Sequence, residues 1–510
     1  MIQGMRHEPL ILTVDVGTTG TKCCLFTIGG HEVESAAVHY RTSYPRPGWA
    51  EQNSEEYWSA CVTGIRQILG AQQDTADRVA AIGLCGQMNG CIPVDSAGDP
   101  TGRSIIHVDS RSAKEREQVL AAIPEREFYR ITGNRPDVHL SLPKMIWFAK
   151  NQPEAYARTA WFLQAKDIVG FHLTGVLPVT DFSDASLTAA FAVHDRTWST
   201  TILREAGLDP RRMPEVQPGI TPRGGLTAEA ARALGLRQGI PVAIGCGDAA
   251  AATRGAGVRG AAESYVCIGS SAWMSTLFEL PFDDPGMRLQ NFFDPDGTLC
   301  NACGSVQSAG ICLDWVGSIL GDESPDKQPG FAELEEAARA SRAGSDGLLF
   351  LPLLMGERTP YWDPHARGAF VGMTLRHGRG DLCRSVFEGV AYALRSVLDV
   401  YTEHDHQFTS VTLLGGGLRS RFWAQIICDV FGVPCRLHPS PHNATGRGAA
   451  MVAAVAAGLI PSLDAWQIDE GSGETLQPVA ENRIPYERGY SAYTNLYPQL
   501  KPVFDELRTP

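Results

Sequence analysis

The sequence predicts an α/β protein, and three of its features carry that prediction. Short apolar runs of strand length alternate with longer segments of helical periodicity. Two of the runs fold back through turns of glycine and hydroxyl residues, once near the start and once near the middle of the chain. The chain has 510 residues, 44% of them hydrophobic, and a single core rarely serves more than about 250–300 residues. At roughly 100–200 residues per domain, two to four domains are expected.

Taken in order, Leu10-Ile11-Leu12-Thr13-Val14-Asp15-Val16 reads as a buried strand, Gly17-Thr18-Thr19-Gly20 as a turn, and Lys22 to Ile28 as the returning strand. Ser54 stands where a cap would open the helix beginning Glu55-Glu56-Tyr57-Trp58. Val79 to Gly86 reads as a strand leading into Gln87-Met88-Asn89-Gly90, and Ile240 to Gly247 as another that ends at Asp248. Ser264 to Ile268, Gly269-Ser270-Ser271 and Ala272 to Leu277 repeat the first hairpin, which points to two halves of related build, although matches this short also arise by chance. Thr409 to Leu414 is a strand, Gly415-Gly416-Gly417 a tight turn, and Ser420 to Phe431 a helix with Trp423, Ile426, Ile427 and Val430 on one face. Polar stretches at Gly321 to Gly330 and Gly471 to Pro478 read as exposed loops. In such a fold, ligands sit at strand ends.

Composition excludes several classes of partner. With 57 acidic against 44 basic side chains, a net charge of -13 and no block of like charges, the chain lacks the basic stripe that nucleic acid or an anionic membrane requires. The uncharged run around Ala449 contains Gly458 and Pro461 and is too short and broken to span a bilayer. Glu8 and Pro9 ahead of the first apolar run do not have the shape of a signal peptide. Thirteen cysteines, an odd number scattered through apolar contexts, read as reduced thiols of a cytoplasmic protein. Cys300-x-x-Cys303 has no partner pair and reads as two core thiols, and His404-Asp405-His406 lacks a third metal ligand.

A phosphate needs several N–H donors converging with little side-chain bulk. Gly17 to Lys22 can supply them, or can be an ordinary hairpin turn; its spacing is not that of a P-loop. Asp15 favours the first reading, because an apolar strand tolerates a carboxylate only if a cation or donors meet it. Gly415-Gly416-Gly417 offers bare backbone but not dinucleotide spacing. Asp248, among glycines and alanines, is either a helix cap or a carboxylate with space beside it. Gly356-Glu357-Arg358-Thr359-Pro360 is open to structural bracing and site lining alike.

Together these residues resemble the FGGY family of carbohydrate kinases, within the superfamily of actin-like and hexokinase-like ATPases. Asp15-x-Gly17-Thr18-Thr19-Gly20-x-Lys22 is similar to its first phosphate loop and Ile268-Gly269-Ser270-Ser271 to its second. Ser141-x-Pro143-Lys144-Met145-Ile146-Trp147-Phe148 is similar to one family signature, with His139 departing at its first position. Gly368-x-Phe370-x-Gly372-Met373, followed by Asp381-Leu382 and Ser385-Val386-Phe387-Glu388, matches the other. The likeness runs from Leu10 to Pro498. Gln87-Met88-x-Gly90, Phe350-Leu351-Pro352, Gly356 to Pro360 and Cys312-Leu313-Asp314-Trp315 resemble the branch that phosphorylates D-xylulose, while Asn89, Ala249 and His107 depart from it where its sugar is gripped.

The resemblance implies two ribonuclease-H-like domains facing a central cleft: 8–254, mainly sugar-binding, and 255–500, mainly ATP-binding. It implies Asp248 as catalytic base, and Asp15 as the Mg²⁺ residue, directly or through water. Thr18, Thr19, Lys22, Gly269, Ser270 and Ser271 would meet the ATP phosphates, and Gly415, Gly416 and Gly417 the adenosine. Gln87, Met88, Asn89, Asp109 and Asp248 would hold the sugar. The expected reaction is ATP-dependent phosphorylation of a small sugar, a ketopentose such as D-xylulose, in a possible homodimer. Other ketoses, polyols such as erythritol or ribitol, and autoinducer-type sugars stay open because of the three departures. An actin- or chaperone-like ATPase without a sugar is the alternative of another class.

Overall fold

The computed structural model describes residues 8–71, 75–321, 329–439, 443–466 and 473–507. The middle of the first expected loop (322–328) and the start of the second (471–472) lie outside the described residues. The chain divides into two compact units, one within Met1–Arg259, Leu277–Ala302 and Asn443–Glu470, the other within Gly260–Thr276, Cys303–His442 and Gly471–Pro510. The division is therefore not a single cut, since two later segments return to the first unit.

In the first unit, β1 (Leu10–Val16) and β2 (Gly20–Thr27) form the expected antiparallel hairpin, with Asp15 opposite Lys22. The strand β3 (Glu32–His39) continues the meander. The helix α1 (Glu55–Ala71) follows, and β4 (Val79–Gly86) pairs parallel with β1. Next come α2 (Ala165–Thr174), the short helix α3 (Phe182–Leu187), β5 (Pro222–Gly225), β6 (Pro241–Ala243), β7 (Cys246–Gly247) and α4 (Asp248–Gly255). The sheet order is β5-β6-β4-β1-β2-β3, with β7 also paired to β4. Side chains alternate along a strand. Leu10, Leu12, Val14 and Val16 of β1 join one core with Tyr57, Cys61, Ile65 and Ile68 of α1. Asp15 therefore belongs to the opposite face, at the strand's end.

Two local expectations need correction. Ile240 to Gly247 is not one strand: it breaks between β6 and β7 at Gly245, whose φ of +85° suits glycine, and whose Cβ, if added, would lie 2.2 Å from the Leu84 carbonyl oxygen. Ser54 does not cap α1. Its hydroxyl is buried without a hydrogen-bond partner, and Asn53 Oδ1 accepts from the Glu55 N–H at 3.3 Å instead.

In the second unit, β8 (Glu263–Ile268) and β9 (Ala272–Phe278) form the second hairpin, followed by β10 (Cys300–Val306), α5 (Gly310–Leu320), α6 (Arg379–Thr402), β11 (Ser410–Leu414), α7 (Arg421–Phe431) and β12 (Cys435–Leu437). Ser420 caps α7 through Trp423 N–H, and Trp423, Ile426, Ile427 and Val430 are buried as the periodicity predicts. The chain then supplies α8 (Ala444–Ala456) to the first unit before closing the second with β13 (Thr475–Leu476) and α9 (Ala480–Glu506). The order here is β10-β9-β8-β11-β12-β13, with β8 and β11 parallel. Helices α4 and α8 touch through bare backbone: a Cβ at Gly255 would lie 1.8 Å from Ala444 O, and one at Gly448 1.9 Å from Ala251 O. Among the described residues no helix is long and apolar enough to cross a membrane.

Candidate active site

The first hairpin tip is held from behind by its carbonyls. Tyr40 Oη donates to Gly17 O, Gln52 Nε2 donates to Thr18 O at 2.6 Å, and the Tyr40 N–H donates to Thr19 O at 3.3 Å. A trans peptide points its C=O and N–H in opposite directions. Tying back three consecutive carbonyls therefore turns the N–H groups that follow them outward. Gln52, which the sequence reading missed, also accepts from Tyr57 Oη at 2.8 Å and Gln87 Nε2 at 2.9 Å. Gln87 is thereby drawn behind the tip, buried, its Nε2 donating to Gln52 while its Oε1 is left without a hydrogen-bond partner. Lys22 Nζ donates to Asn443 Oδ1 at 2.6 Å, just ahead of α8, and Asn443 Nδ2 donates to Glu32.

Two carboxylates stand at the strand ends of this unit. Burial raises Asp15 to a pKa of about 6, against the lowering effects of a Cys85 thiol hydrogen bond and the Lys22 charge. Asp248, the first residue of α4, rises to about 7 through burial and then the Asp15 charge, although it accepts the Ala249 N–H at 2.7 Å. Asp15 Oδ1 is buried without a hydrogen-bond partner. Paired, desolvated carboxylates with an unused oxygen form a donor set suited to a hard divalent cation, which would lower both proton affinities.

Beside them lies the Gln87 to Gly90 turn. Met88 is buried, and a Cβ on Gly247 would lie 2.3 Å from its sulfur, so Met88 packs on the peptide that precedes Asp248. Asn89 has a φ of +63°, and its Oδ1 is buried without a hydrogen-bond partner. Its carbonyl accepts from Lys144 Nζ at 2.8 Å; that ammonium also donates to the His139 carbonyl at 2.6 Å, a contact indifferent to the side chain at position 139. Asp109 is fully buried and already satisfied: it accepts from Ala50 N–H at 2.5 Å, Arg111 N–H at 2.9 Å and Arg111 Nη2 at 2.6 Å. The Arg111 guanidinium lies 3.7 Å from the Trp49 ring centroid, 4.8 Å from that of Trp147, and bonds Glu51 at 2.7 Å. The structure thus makes Asp109 the anchor of an Arg–Trp wall.

In the second unit, the tip between β8 and β9 is again tied back, here by backbone. Gly310 N–H donates to Gly269 O at 3.0 Å, while Ala309 and Ile311 N–H donate to Ser270 O at 2.9 and 3.2 Å. The Ser270 and Ser271 N–H groups turn outward by the same peptide geometry. The three glycines after β11 differ in need. Cβ atoms at Gly415 and Gly417 would meet Ile268 at 2.4 and 2.8 Å, whereas one at Gly416 would meet nothing within 4 Å. Glu357 resolves to bracing: its Oε1 accepts the Gln307 and Arg358 N–H groups, both at 2.8 Å, and it is buried with its pKa pushed up to about 8. The segment it holds leads directly into Ala309 and Gly310.

Residues 10–255 match the N-terminal domain of the FGGY family of carbohydrate kinases, and residues 265–457 match its C-terminal domain. The chain belongs to the FGGY family of carbohydrate kinases. It is an enzyme that phosphorylates a carbohydrate with ATP as donor. It is 31% identical over 494 residues to the xylulose kinase of Escherichia coli strain K12, covering 97% of this chain and all of that one (100%). It is 27% identical over 503 residues to the gluconokinase of Bacillus subtilis strain 168, covering 98% of this chain and 97% of the relative. The crystal structure of xylulose kinase from Rhodospirillum rubrum superposes with a TM-score of 0.87 at 27% identity, covering 97% of this chain and 100% of the other.

Proposed function

We propose that this kinase transfers the γ-phosphate of ATP to a hydroxyl of a small ketose, D-xylulose foremost, with Asp248 as general base. The observation that carries the reading is the placement of Asp248: first residue of α4, beside Asp15, against the peptide on which Met88 packs. With a pKa near 7 its carboxylate accepts the proton of the attacking hydroxyl at neutral pH. The first unit, built around 8–254, serves mainly the sugar, and the second, within 255–500, mainly the nucleotide. Met88 and Asn89 face the sugar, supported from behind by Gln87 and Asp109. The N–H and hydroxyl groups at Thr18 and Thr19, Lys22, and those at Gly269, Ser270 and Ser271, neutralise phosphate charge, so catalysis is chiefly positioning and electrostatics. Gly416 admits adenosine, with Gly415 and Gly417 shaping the turn around it. Mg²⁺ belongs with Asp15, whose unpartnered oxygen fits it; when bound it shields the phosphate charge.

Support for a xylulose substrate comes from relatives with that name, while the Asn89 departure favours a second reading, a different ketose or a polyol. Asn89 Oδ1 is an unused acceptor, and a site built to bond one hydroxyl rejects an analogue lacking it by about 10⁴–10⁵. An ADP-release assay over ketoses, aldonates and polyols tests both readings. D-xylulose giving the largest stimulation supports the first, and another compound surpassing it selects the second. Stimulation by none of them rules out D-xylulose and the alternatives in the panel as the acceptor. All thirteen cysteines are free, which supports a cytoplasmic, reducing location. A homodimer is the assembly proposed from the family resemblance, to be read by light scattering.

A further inference from the structure

A line of buried polar groups in the first unit ends one residue before Asp248. The Lys166 ammonium on α2 is fully enclosed, 2.7 Å from Asp167, 3.0 Å from Asp181 and 2.9 Å from Asp184. Asp181 caps α3, accepting the Ser183 N–H at 2.7 Å and the Ser183 hydroxyl on the same oxygen. Ser183 Oγ in turn accepts the Gly247 N–H at 2.8 Å. Because the serine proton is committed to Asp181, a lone pair is left aimed at Gly247, so every link of the line has a fixed direction.

Gly247 has no freedom on its other side, where a Cβ would lie 2.3 Å from Met88 Sδ. Buried ion clusters contribute little net stability compared with apolar packing. What this one supplies is orientation of a single peptide, Cys246–Gly247, which stands one residue ahead of the base. We infer that Ser183, anchored through Asp181 to Lys166, is a positioning residue for Asp248, fixing the Gly247 peptide between its own hydroxyl and Met88. This rests on the reading of Asp248 as the base.

The test uses Ser183→Ala in the full chain, with Thr180→Val as its control. Thr180 Oγ1 accepts from the same Lys166 Nζ at 3.5 Å, whereas the Gly247 N–H is bonded by Ser183. A small misplacement of a reacting group costs up to about 100-fold. Ser183→Ala is therefore expected to lower kcat by about 10- to 100-fold, leave KM for ATP within about threefold, and speed amide exchange at Gly247 with little change in Tm. Thr180→Val stays near wild type. Unchanged kcat, unchanged Gly247 exchange, or equal damage from Thr180→Val overturns the inference. Asp248→Asn separates the two readings: if it retains turnover the base assignment itself fails, and if it is inactive while Ser183→Ala is normal, only the positioning role fails.

Discussion

The two hairpin tips present outward N–H groups by the same peptide geometry but are restrained by different means. The first is tied back by the Gln52 and Tyr40 side chains together with the Tyr40 N–H; the second by backbone, from Ala309 and the opening of α5. They differ also in what stands two residues ahead of the glycine. On β1 that residue is Asp15, opposite Lys22; on β8 it is Cys267, opposite Trp273. On the proposed reading, a duplicated cradle for phosphate thus carries acid chemistry on one side alone. The lesson is that phosphate can be met twice by backbone, whereas a base and a cation are needed once.

The largest expected effect breaks that asymmetry at its centre. Asp248→Asn should lower sugar-dependent turnover by about 10²–10⁴ while nucleotide binding, followed by calorimetry, stays within a few-fold. Retained turnover would remove acid chemistry from the first unit altogether. Gly310→Ala comes next: its Cβ would lie 2.5 Å from Gly269 O, and displacing the second tip should raise KM for ATP by about tenfold or more, with the acid limb of kcat unmoved. If that limb shifted as well, the two tips would not be chemically distinct. Gln52→Ala, which frees the Thr18 carbonyl and unlinks Gln87, should cost about two- to tenfold in kcat/KM, since side-chain tethers are shared with Tyr40. A larger loss than that from Gly310→Ala would reverse the order of the two restraints.

Much of this was legible in the sequence where local chemistry decides. A carboxylate ending an apolar strand before Gly-Thr-Thr-Gly announces a site, because desolvation makes it costly anywhere else. The strands of both hairpins and the Ser420 cap follow from period and residue type. What was hidden depends on contacts between distant segments. The break at Gly245 is dictated by the Leu84 carbonyl, and the role of Gln52 by Thr18 and Gln87. The setting of Asp109, bonded to Arg111 under Trp49, joins a segment more than fifty residues upstream. Ser183 lies 64 residues from Gly247, and no pattern along the chain links them.

The smallest effect sharpens the comparison through stability. Asp15 and Asp248 have folded pKa values of about 6 and about 7, above the ordinary 3.8. A raised carboxylate pKa means that the folded state holds its protons more tightly than the unfolded chain does. The favourable term is complete below pH 3.8, shrinks as pH rises through the folded values, and is gone above pH 7. The ligand-free protein at pH 8 therefore bears two desolvated charges, and Asp248→Asn should stabilise it there by on the order of 1 kcal/mol. The gain should fade towards pH 4, where Asp248 is already neutral. Denaturant melts of variant and wild type at both pH values measure the difference, and an equal shift at the two would show that desolvation is not what raises Asp248. A Cys267→Ser variant at the corresponding place on β8 should show no such pH dependence, because no carboxylate faces that tip from its own strand.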